Sequence, residues 1–407
     1  MLPEFDVQLA RARQRRRLRA HIASAVVPGR LRPYPRTRLE EWGGGLVATR
    51  SPNEERALAP VVGREPELRL PRATAVPGRA ASSPAAVAVR RRIDAFLAAQ
   101  GRHELRASWH HAVNMTAHEL ARLASVDLSG HRFLLVSRQT HPLLRALILA
   151  AHRQHVPVVY VPHSPLTRFQ VDLPVSYAAM RGVAERDWIV SRTGTDGDRI
   201  SVVGNPGTHV THLPTHTLVA DRVPGVVAVS PDPEPALRRV FELIAHAGVD
   251  DVLVAPHPRS DIGMLKRLLP HGWQLHRRGL TVDVLRGGPH WVIQSSSGVA
   301  WESAILGIPT ADLRLDDREP DYPFLEDGEV FPVLRTSDDV RAFVEAAPRT
   351  DRPALREHAL RWCATDGAES VALIRGLLEA VEHPREPIVD AWTPGGVLRE
   401  RSPLATL

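Results

Sequence analysis

The sequence predicts an α/β protein built from two successive βα series, and three observations carry that expectation. From about residue 84 onward, apolar runs of strand length alternate with segments of helical period. The alternation breaks once, over Asn205–Arg222 (NPGTHVTHLPTHTLVADR), and then resumes. The residues that follow the strands are small, polar or cationic, and open α/β sheets collect their ligands beyond the carboxyl ends of their strands.

The elements follow in order. Residues 1–80 read as irregular, with Pro and Gly frequent from 28 to 80. Within them Arg11–Arg19 (RARQRRRLR) has six arginines in nine residues, and Leu18, Ile22 and Val26 fall four apart. A basic helix of this kind can rest on anionic lipid as a peripheral membrane contact, or present a solvated face. Ala85–Gln100 and His103–Ser125 read as helices, Arg132–Ser137 (RFLLVS) as a buried strand, and His141–His155 as a Leu-rich helix. Pro157–Pro162, Asp187–Ser191 (DWIVS) and Arg199–Gly204 read as further strands. Residues 81–215 therefore form a first domain. A second domain spans 222–346. Its expected strands are Val226–Ser230, Asp251–Ala255, Trp273–His276, Trp291–Gln294 and Thr310–Leu315. Its helices are Glu234–Ala247, Asp261–Leu269, Val299–Gly307 and Ser337–Ala346. The first of these carries Leu237, Val240, Phe241 and Ile244 on one face. Residues 350–385 are helical, with Ala354–Val381 as one long helix, and 386–407 form a loose tail.

Composition excludes several classes. The chain has 407 residues, 43% apolar and 24% charged, which suits two ordinary globular cores. No apolar run reaches the roughly 20 residues of a membrane span. The N-terminus has no apolar segment of secretory type. A single cysteine, Cys363, rules out an intramolecular disulfide and fits the cytoplasm. Of the 52 basic residues only Lys266 is lysine, so the positive balance of +6 reflects arginine usage. Aromatics are 5% and do not interleave with the arginines, which argues against nucleic acid as a partner.

Three motifs carry chemistry. In WVIQSSSGVAWESAILGIP (291–309) a strand opens directly into a helix through Ser295, Ser296, Ser297 and Gly298. Serine hydroxyls and the N–H groups of a helix start suit a phosphate. One serine would suffice as an N-cap, and three exceed that need. Glu302, a turn further on, can accept from ribose hydroxyls. In APHPRSD (255–261) the prolines stiffen the backbone at His257 and hold its imidazole for a phosphate oxygen, with Arg259 as a second ligand. In VPHSPLTRF (161–169) His163 follows a strand of the first domain, where a group titrating near neutrality can act as base. Asp196-Gly197-Asp198 has the D-x-D form of a metal site, yet turn chemistry explains it, and no required metal or cofactor is expected.

On these residues the chain resembles the GT-B glycosyltransferase fold: two facing Rossmann-like domains with an interdomain cleft and a C-terminal helical segment. More narrowly, it resembles bacterial enzymes of capsule and teichoic acid synthesis, the polysialyltransferase-like, Kdo-transferase-like and CDP-glycerol glycerophosphotransferase-like proteins. The resemblance rests on His257-Pro258, on Ser295–Ser297, on the E-x4-G-x-P of Glu302, Gly307 and Pro309, and on RISVVGNP (199–206). It covers roughly residues 130–345. It implies that His257 and the serines hold the phosphate of a CMP-, CDP- or UDP-linked sugar donor, and that His163 is the base for a hydroxyl acceptor. The acidic-acidic-Gly motif of the polysialyltransferase-like enzymes has no copy in the first domain, since Glu40-Glu41 runs into Trp42 and Glu326-Asp327-Gly328 lies in the second.

The expectation is thus a metal-independent glycosyltransferase of cell-surface polysaccharide or glycoconjugate synthesis, cytoplasmic and able to sit at the inner membrane face. One alternative is a UDP-N-acetylglucosamine 2-epimerase-like enzyme, which Ser-Gly, E-x4-G-x-P and RLDDREP (314–320) loosely resemble. Against it, Ser164 stands after His163 where Gly-Asp would be expected. Another is a non-catalytic nucleotide-binding or scaffold protein of the same fold.

Overall fold

The computed structural model describes residues 38–42, 44–49, 52–62, 67–68, 84–99, 106–139, 141–168, 173–193, 195–207, 211, 213, 225–257, 259–276, 281–295, 297–316 and 320–381. The basic run Arg11–Arg19, Ser296 and the tail from 386 lie outside them. The described residues fall into two compact units. The N-terminal unit holds those from 38 to 164, from 173 to 207 and from 364 to 381; the C-terminal unit holds 165–168, 211, 213 and 225–363.

The N-terminal unit starts with a hairpin of β1 (Arg38–Trp42) and β2 (Gly45–Thr49), followed by α1 (Pro52–Val62) and the short β3 (Glu67–Leu68). Loop was expected throughout this Pro- and Gly-rich stretch. The correction has a physical reason: all five residues of β2 are buried, and β2 pairs in parallel with β4 (Leu134–Val136), so burial overrides composition. Helices α2 (Pro84–Ala99) and α3 (Arg106–Arg122) precede β4. Then come α4 (Pro142–Arg153), β5 (Val158–Tyr160), β6 (Tyr177–Met180), α5 (Val183–Thr193) and β7 (Ile200–Val202). The expected strand over Asp187–Ser191 lies inside α5. Glu185, in the first turn, accepts the Arg181 N–H at 2.9 Å and fixes the helix start. The strand is instead β6, whose Ala178, Ala179 and Met180 are fully buried between β5 and β7. The sheet order is β3-β1-β2-β4-β5-β6-β7, and its parallel strands β2, β4, β5, β6 and β7 follow the chain in one direction.

The C-terminal unit runs β8 (Gly225–Val229), α6 (Glu234–His246), β9 (Val252–Pro256), α7 (Ile262–Leu268), β10 (Gln274–Leu275), α8 (Thr281–Leu285), β11 (Val292–Gln294), α9 (Val299–Ile305), β12 (Thr310–Leu313), β13 (Val333–Leu334), α10 (Ser337–Ala346) and α11 (Arg352–Trp362). All its pairings are parallel, in the order β10-β9-β8-β11-β12-β13. Counted within the unit this is 3-2-1-4-5-6, the Rossmann order. Alternate strand residues feed two cores. Val227, Val229, Ile293 and Leu313 pack with α6, α7 and α10. Val226, Ala228 and Val292 pack with α8, α9 and α11. The direction of strand order reverses between β8 and β11, so the topological switch point lies at their carboxyl ends.

The long helix expected over Ala354–Val381 is two helices, α11 and α12 (Gly367–Ala380). Between them Thr365 accepts the Asn205 N–H at 2.9 Å, and the Gly367 N–H returns to the Asn205 carbonyl at 3.1 Å. These pairings satisfy the backbone that a continuous helix would have used. Gly204, at φ +81°, lies so near that a Cβ would stand 2.1 Å from the Thr365 oxygen. α12 belongs to the N-terminal unit, where Ile374, Leu378 and Val381 join α1 over the sheet. No helix among the described residues is long and apolar enough to cross a membrane.

Candidate functional site

The switch point gathers several of the residues singled out in the sequence. The Ser230 hydroxyl, one residue past β8, donates to the Ser295 carbonyl at 3.0 Å. His257 follows β9 directly, and its N–H donates to the Val229 carbonyl at 3.1 Å. Ser295, Ser297 and Gly298 connect β11 to α9, and Glu302 stands in the first turn of α9. Arg259 is exposed beyond His257. The strand ends thus hold His257 by a backbone bond and the serine loop by the Ser230 hydroxyl, all on one unit.

The ring of His257 has a defined tautomer. Its Nδ1 accepts the backbone N–H of Arg259 at 3.1 Å. In the neutral imidazole the proton is therefore on Nε2, which is a hydrogen-bond donor. Burial, and then the nearby charge of Arg259, hold its pKa below the ordinary histidine range. A neutral ring with an Nε2–H suits an anionic oxygen and is the wrong tautomer for a base at that nitrogen.

The serine loop differs from the simple phosphate cup read in the sequence. The Ser297 N–H is held by the Gln294 side-chain carbonyl. The Ser297 hydroxyl takes the Val299 N–H at 3.4 Å, and its carbonyl takes the Ala300 N–H at 3.2 Å. Those N–H groups are already engaged. The hydroxyl of Ser295 has no hydrogen bond among the described residues and is half-buried, as is Ser297. Gly298 has an ordinary helical φ of −60°, so it is not there for its dihedral. A Cβ on it would lie 3.2 Å from the ring carbons of Pro165, so the glycine admits Pro165. The Arg168 N–H donates to the Asp321 carbonyl at 2.9 Å, and its guanidinium meets Glu326 at 2.6 Å. The helix α9 ends where the sequence signalled, with Gly307 at φ 69° and its last carbonyls taken by arginines: Arg356 donates to Ile305 at 2.5 Å and Arg352 to Gly307 at 3.0 Å.

His163 lies in the N-terminal unit, three residues past β5. Its Nδ1 stands 2.7 Å from the Ser137 carbonyl, and its backbone N–H reaches the same oxygen at 3.3 Å. A carbonyl only accepts, so Nδ1 carries the proton and Nε2 keeps a lone pair. Burial lowers the pKa most, the Ser137 bond and Glu54 oppose this, and Arg138 and Arg181 add to the lowering. Sequence reasoning missed the charged residues that act on this ring, Glu54 and Arg181, and the partner of Arg181, Glu185. Glu54 and Glu185 are fully buried, and Arg181 is 1% exposed. Arg181 binds Glu185 through Nε at 3.0 Å and Nη2 at 2.5 Å. Their only sequence signal is the four-residue spacing across the start of α5.

The D-x-D segment is a turn. Asp196 accepts the Asp198 N–H at 3.0 Å and caps a short 3-10 helix. Among the described residues no group of three His, Cys, Asp or Glu side chains is placed to hold a metal ion.

No protein-family model matches the sequence, and no curated protein matches it. Among solved structures, UDP-GlcNAc 2-epimerase from Neisseria meningitidis bound to UDP-GlcNAc is similar at 14% identity and a TM-score of 0.46, over 67% of this chain and 82% of that one. CalG4, the calicheamicin glycosyltransferase, is similar at 14% identity and a TM-score of 0.47, over 68% and 78%. The kitacinnamycin glycotransferase is similar at 13% identity and a TM-score of 0.45, over 75% and 84%. These likenesses are distant, and no residue's role is carried over from them.

Proposed function

We propose that this chain is a GT-B-type glycosyltransferase that moves a sugar from a nucleotide-activated donor to a hydroxyl acceptor. The observation that carries the reading is the Rossmann-ordered switch point of the C-terminal unit, where β8, β9 and β11 present Ser230, His257 and the serine loop. Breaking the bond between sugar and nucleotide leaves negative charge on a phosphate. The Nε2–H of His257 and the hydroxyls of Ser295 and Ser297 are donors of the right kind to stabilise it, with Arg259 adding positive charge. Ser296 and Glu302 complete the donor site on this reading. His163 presents the complementary chemistry, a neutral ring with its Nε2 lone pair free of the Ser137 bond. Its role is to take the proton of the acceptor hydroxyl as that oxygen attacks the sugar. The wider assignment to cell-surface polysaccharide synthesis, in the cytoplasm, follows the sequence resemblance.

The test is a calorimetric titration with CMP, CDP, UDP, GDP and ADP, followed by incubation of the matching sugar nucleotides with and without hydroxyl acceptors. Expected are binding of a nucleotide, loss of at least tenfold in affinity in His257→Ala, and sugar transfer only when an acceptor is present. Absence of nucleotide binding would sink the reading. Conversion of UDP-N-acetylglucosamine to its 2-epimer without acceptor would replace it with an epimerase, and binding without turnover of any donor would leave a binding protein.

A further inference from the structure

A buried polar relay stands directly behind the serine loop. Gln294 and Asp312 are register partners on the parallel strands β11 and β12, and both are nearly sealed from solvent at 1% and 0% exposure. The Gln294 amide donates from Nε2 to Asp312 Oδ1 at 3.0 Å, while its carbonyl accepts the Ser297 N–H. The other carboxylate oxygen of Asp312 accepts Arg314 Nε at 2.6 Å, and Arg314 Nη2 reaches the Leu325 carbonyl at 3.3 Å. The donors converge on the carboxylate: the Ser297 N–H donates to the amide oxygen and the amide N–H to Asp312, while the Arg314 guanidinium donates to Asp312 from the other side.

Packing does not call for this pair. At the preceding register the same strands pair Ile293 with Ala311, apolar side chains that suit a sheet covered by helices on both faces. A second apolar pair at 294 and 312 would fill the space without desolvating a carboxylate. What the polar pair adds is a bond to the backbone of the loop at Ser297. Ser230 adds another at Ser295. A loop held at two of its residues keeps its hydroxyls in one arrangement before ligand arrives, and such preorganisation strengthens binding.

We propose that Gln294 and Asp312 are positioning residues that shape the serine loop for the phosphate groups of a nucleoside diphosphate or monophosphate. They act through Ser297 and do not touch the ligand. The inference rests on the donor-site reading above and deepens it, by tying affinity for the phosphates to two side chains outside the loop.

The test uses the full chain and four variants: Gln294→Leu, Gln294→Glu, Asp312→Asn, and Gln294→Glu combined with Asp312→Asn. The first breaks the relay. The second sets two carboxylates against each other, and the combined variant restores a carboxylate–amide pair with the polarity reversed at the strand contact. Calorimetry is run with UDP, CDP and CMP and, as phosphate-free controls, with uridine and cytidine. Hydrogen exchange of the peptide containing 295–299 is followed without ligand. Gln294→Leu and Gln294→Glu are expected to weaken nucleotide binding tenfold or more, to leave nucleoside binding within twofold, and to speed exchange of the loop. The combined variant is expected to recover most of both losses. Nucleotide affinity and loop exchange unchanged in folded Gln294→Leu would overturn the inference while leaving the donor site standing. Equal weakening for nucleoside and nucleotide would assign the pair to the core instead. If the wild-type chain binds none of the nucleotides, the donor-site reading and this inference fall together. Should Gln294→Leu fail to fold, the comparison of Gln294→Glu with its combined variant decides by the same criteria.

Discussion

The Nδ1 nitrogen of His163 lies 2.7 Å from the carbonyl oxygen of Ser137, and that contact sets the proton on one side of the ring. His257 has the reverse arrangement, with Nδ1 accepting from the Arg259 N–H. Two neutral histidines therefore offer a lone pair in one unit and an N–H in the other, from local backbone geometry alone. Opposite tautomers imply separable defects. His163→Gln is expected to lower turnover by about 10²–10⁴-fold, the usual range for a positioned base, with nucleotide affinity unchanged. Steady-state rates and calorimetry on the same preparation check this. A variant that keeps its turnover would remove His163 from the chemistry.

The pair Arg181–Glu185, whose arginine acts electrostatically on His163, makes a prediction about stability. Both side chains are essentially sealed, and Glu185 also holds the Arg181 N–H through its second oxygen. Truncating one member leaves a guanidinium in a dry site without its main partner. Glu185→Ala is expected to destabilise the chain by about 3–5 kcal/mol, as broken buried ion pairs do. Denaturant unfolding, compared with an exposed substitution such as Glu242→Ala, measures the difference. A loss under 1 kcal/mol would mean that water reaches Arg181.

Acid should weaken the fold from near neutrality downward. His152 is half-buried, with Nε2 at 2.9 Å from the Pro174 carbonyl, and desolvation lowers its pKa below the ordinary 6.5. Burial is likewise the first cause of lowering at His163, His257 and His358. The unfolded chain takes up protons at these rings as pH falls through 6.5, while the folded chain does so only at lower pH. Stability is then greatest above 6.5 and declines below it until the folded rings also titrate. Asp339, whose carboxylate is held low by the N–H groups of Arg335 and Thr336, adds a loss of the same sign only below its ordinary 3.8. Melting temperatures at pH 7.5, 6.5 and 5.5 are expected to fall in that order. His152→Gln keeps an N–H for Pro174 and removes the titration, so its decline should be shallower. An unchanged melting temperature across this range would contradict the assignment of neutral, partly buried rings.

Much of the C-terminal unit was legible because its strands are continuous apolar runs and its helices carry clear stops. The strand at 292–294, the helix after SSSG and the end at Gly307 were readable from one short segment. The N-terminal unit was harder. Its first strands sit in a Pro- and Gly-rich context, and β6 is two alanines and a methionine beside Tyr177, so burial makes the strand where propensity does not. At the candidate site, residue types were visible and hydrogen-bond polarity was not. His163 and His257 look alike in sequence as histidines placed after strands, yet Ser137 and Arg259 give them opposite protons. Gln294 reads as the last residue of a strand, and its partner Asp312 lies 18 positions away on the next, a pairing that only the sheet register brings together.

Gly298 offers the most local test of the serine loop. Its φ of −60° is open to any residue, so substitution is opposed only by the neighbour. A methyl group there would press on Pro165 Cγ and Cδ at 3.2 Å, and relief requires a shift of a few tenths of an ångström. Pro165 has limited freedom, because Leu166 beside it is 2% exposed and Arg168 is bonded to Asp321 and Glu326. Gly298→Ala is therefore expected to cost about 1 kcal/mol by overpacking, net of the unfolded-chain entropy that alanine removes. The strain should appear at 165–168 as faster hydrogen exchange. Weakening the Arg168 anchor with Glu326→Gln should reduce the penalty, since a looser segment yields more easily. Additive effects of Gly298→Ala and Glu326→Gln in denaturant unfolding would show that Pro165 and its anchor do not carry the strain, and a stabilised Gly298→Ala would show that no overlap exists.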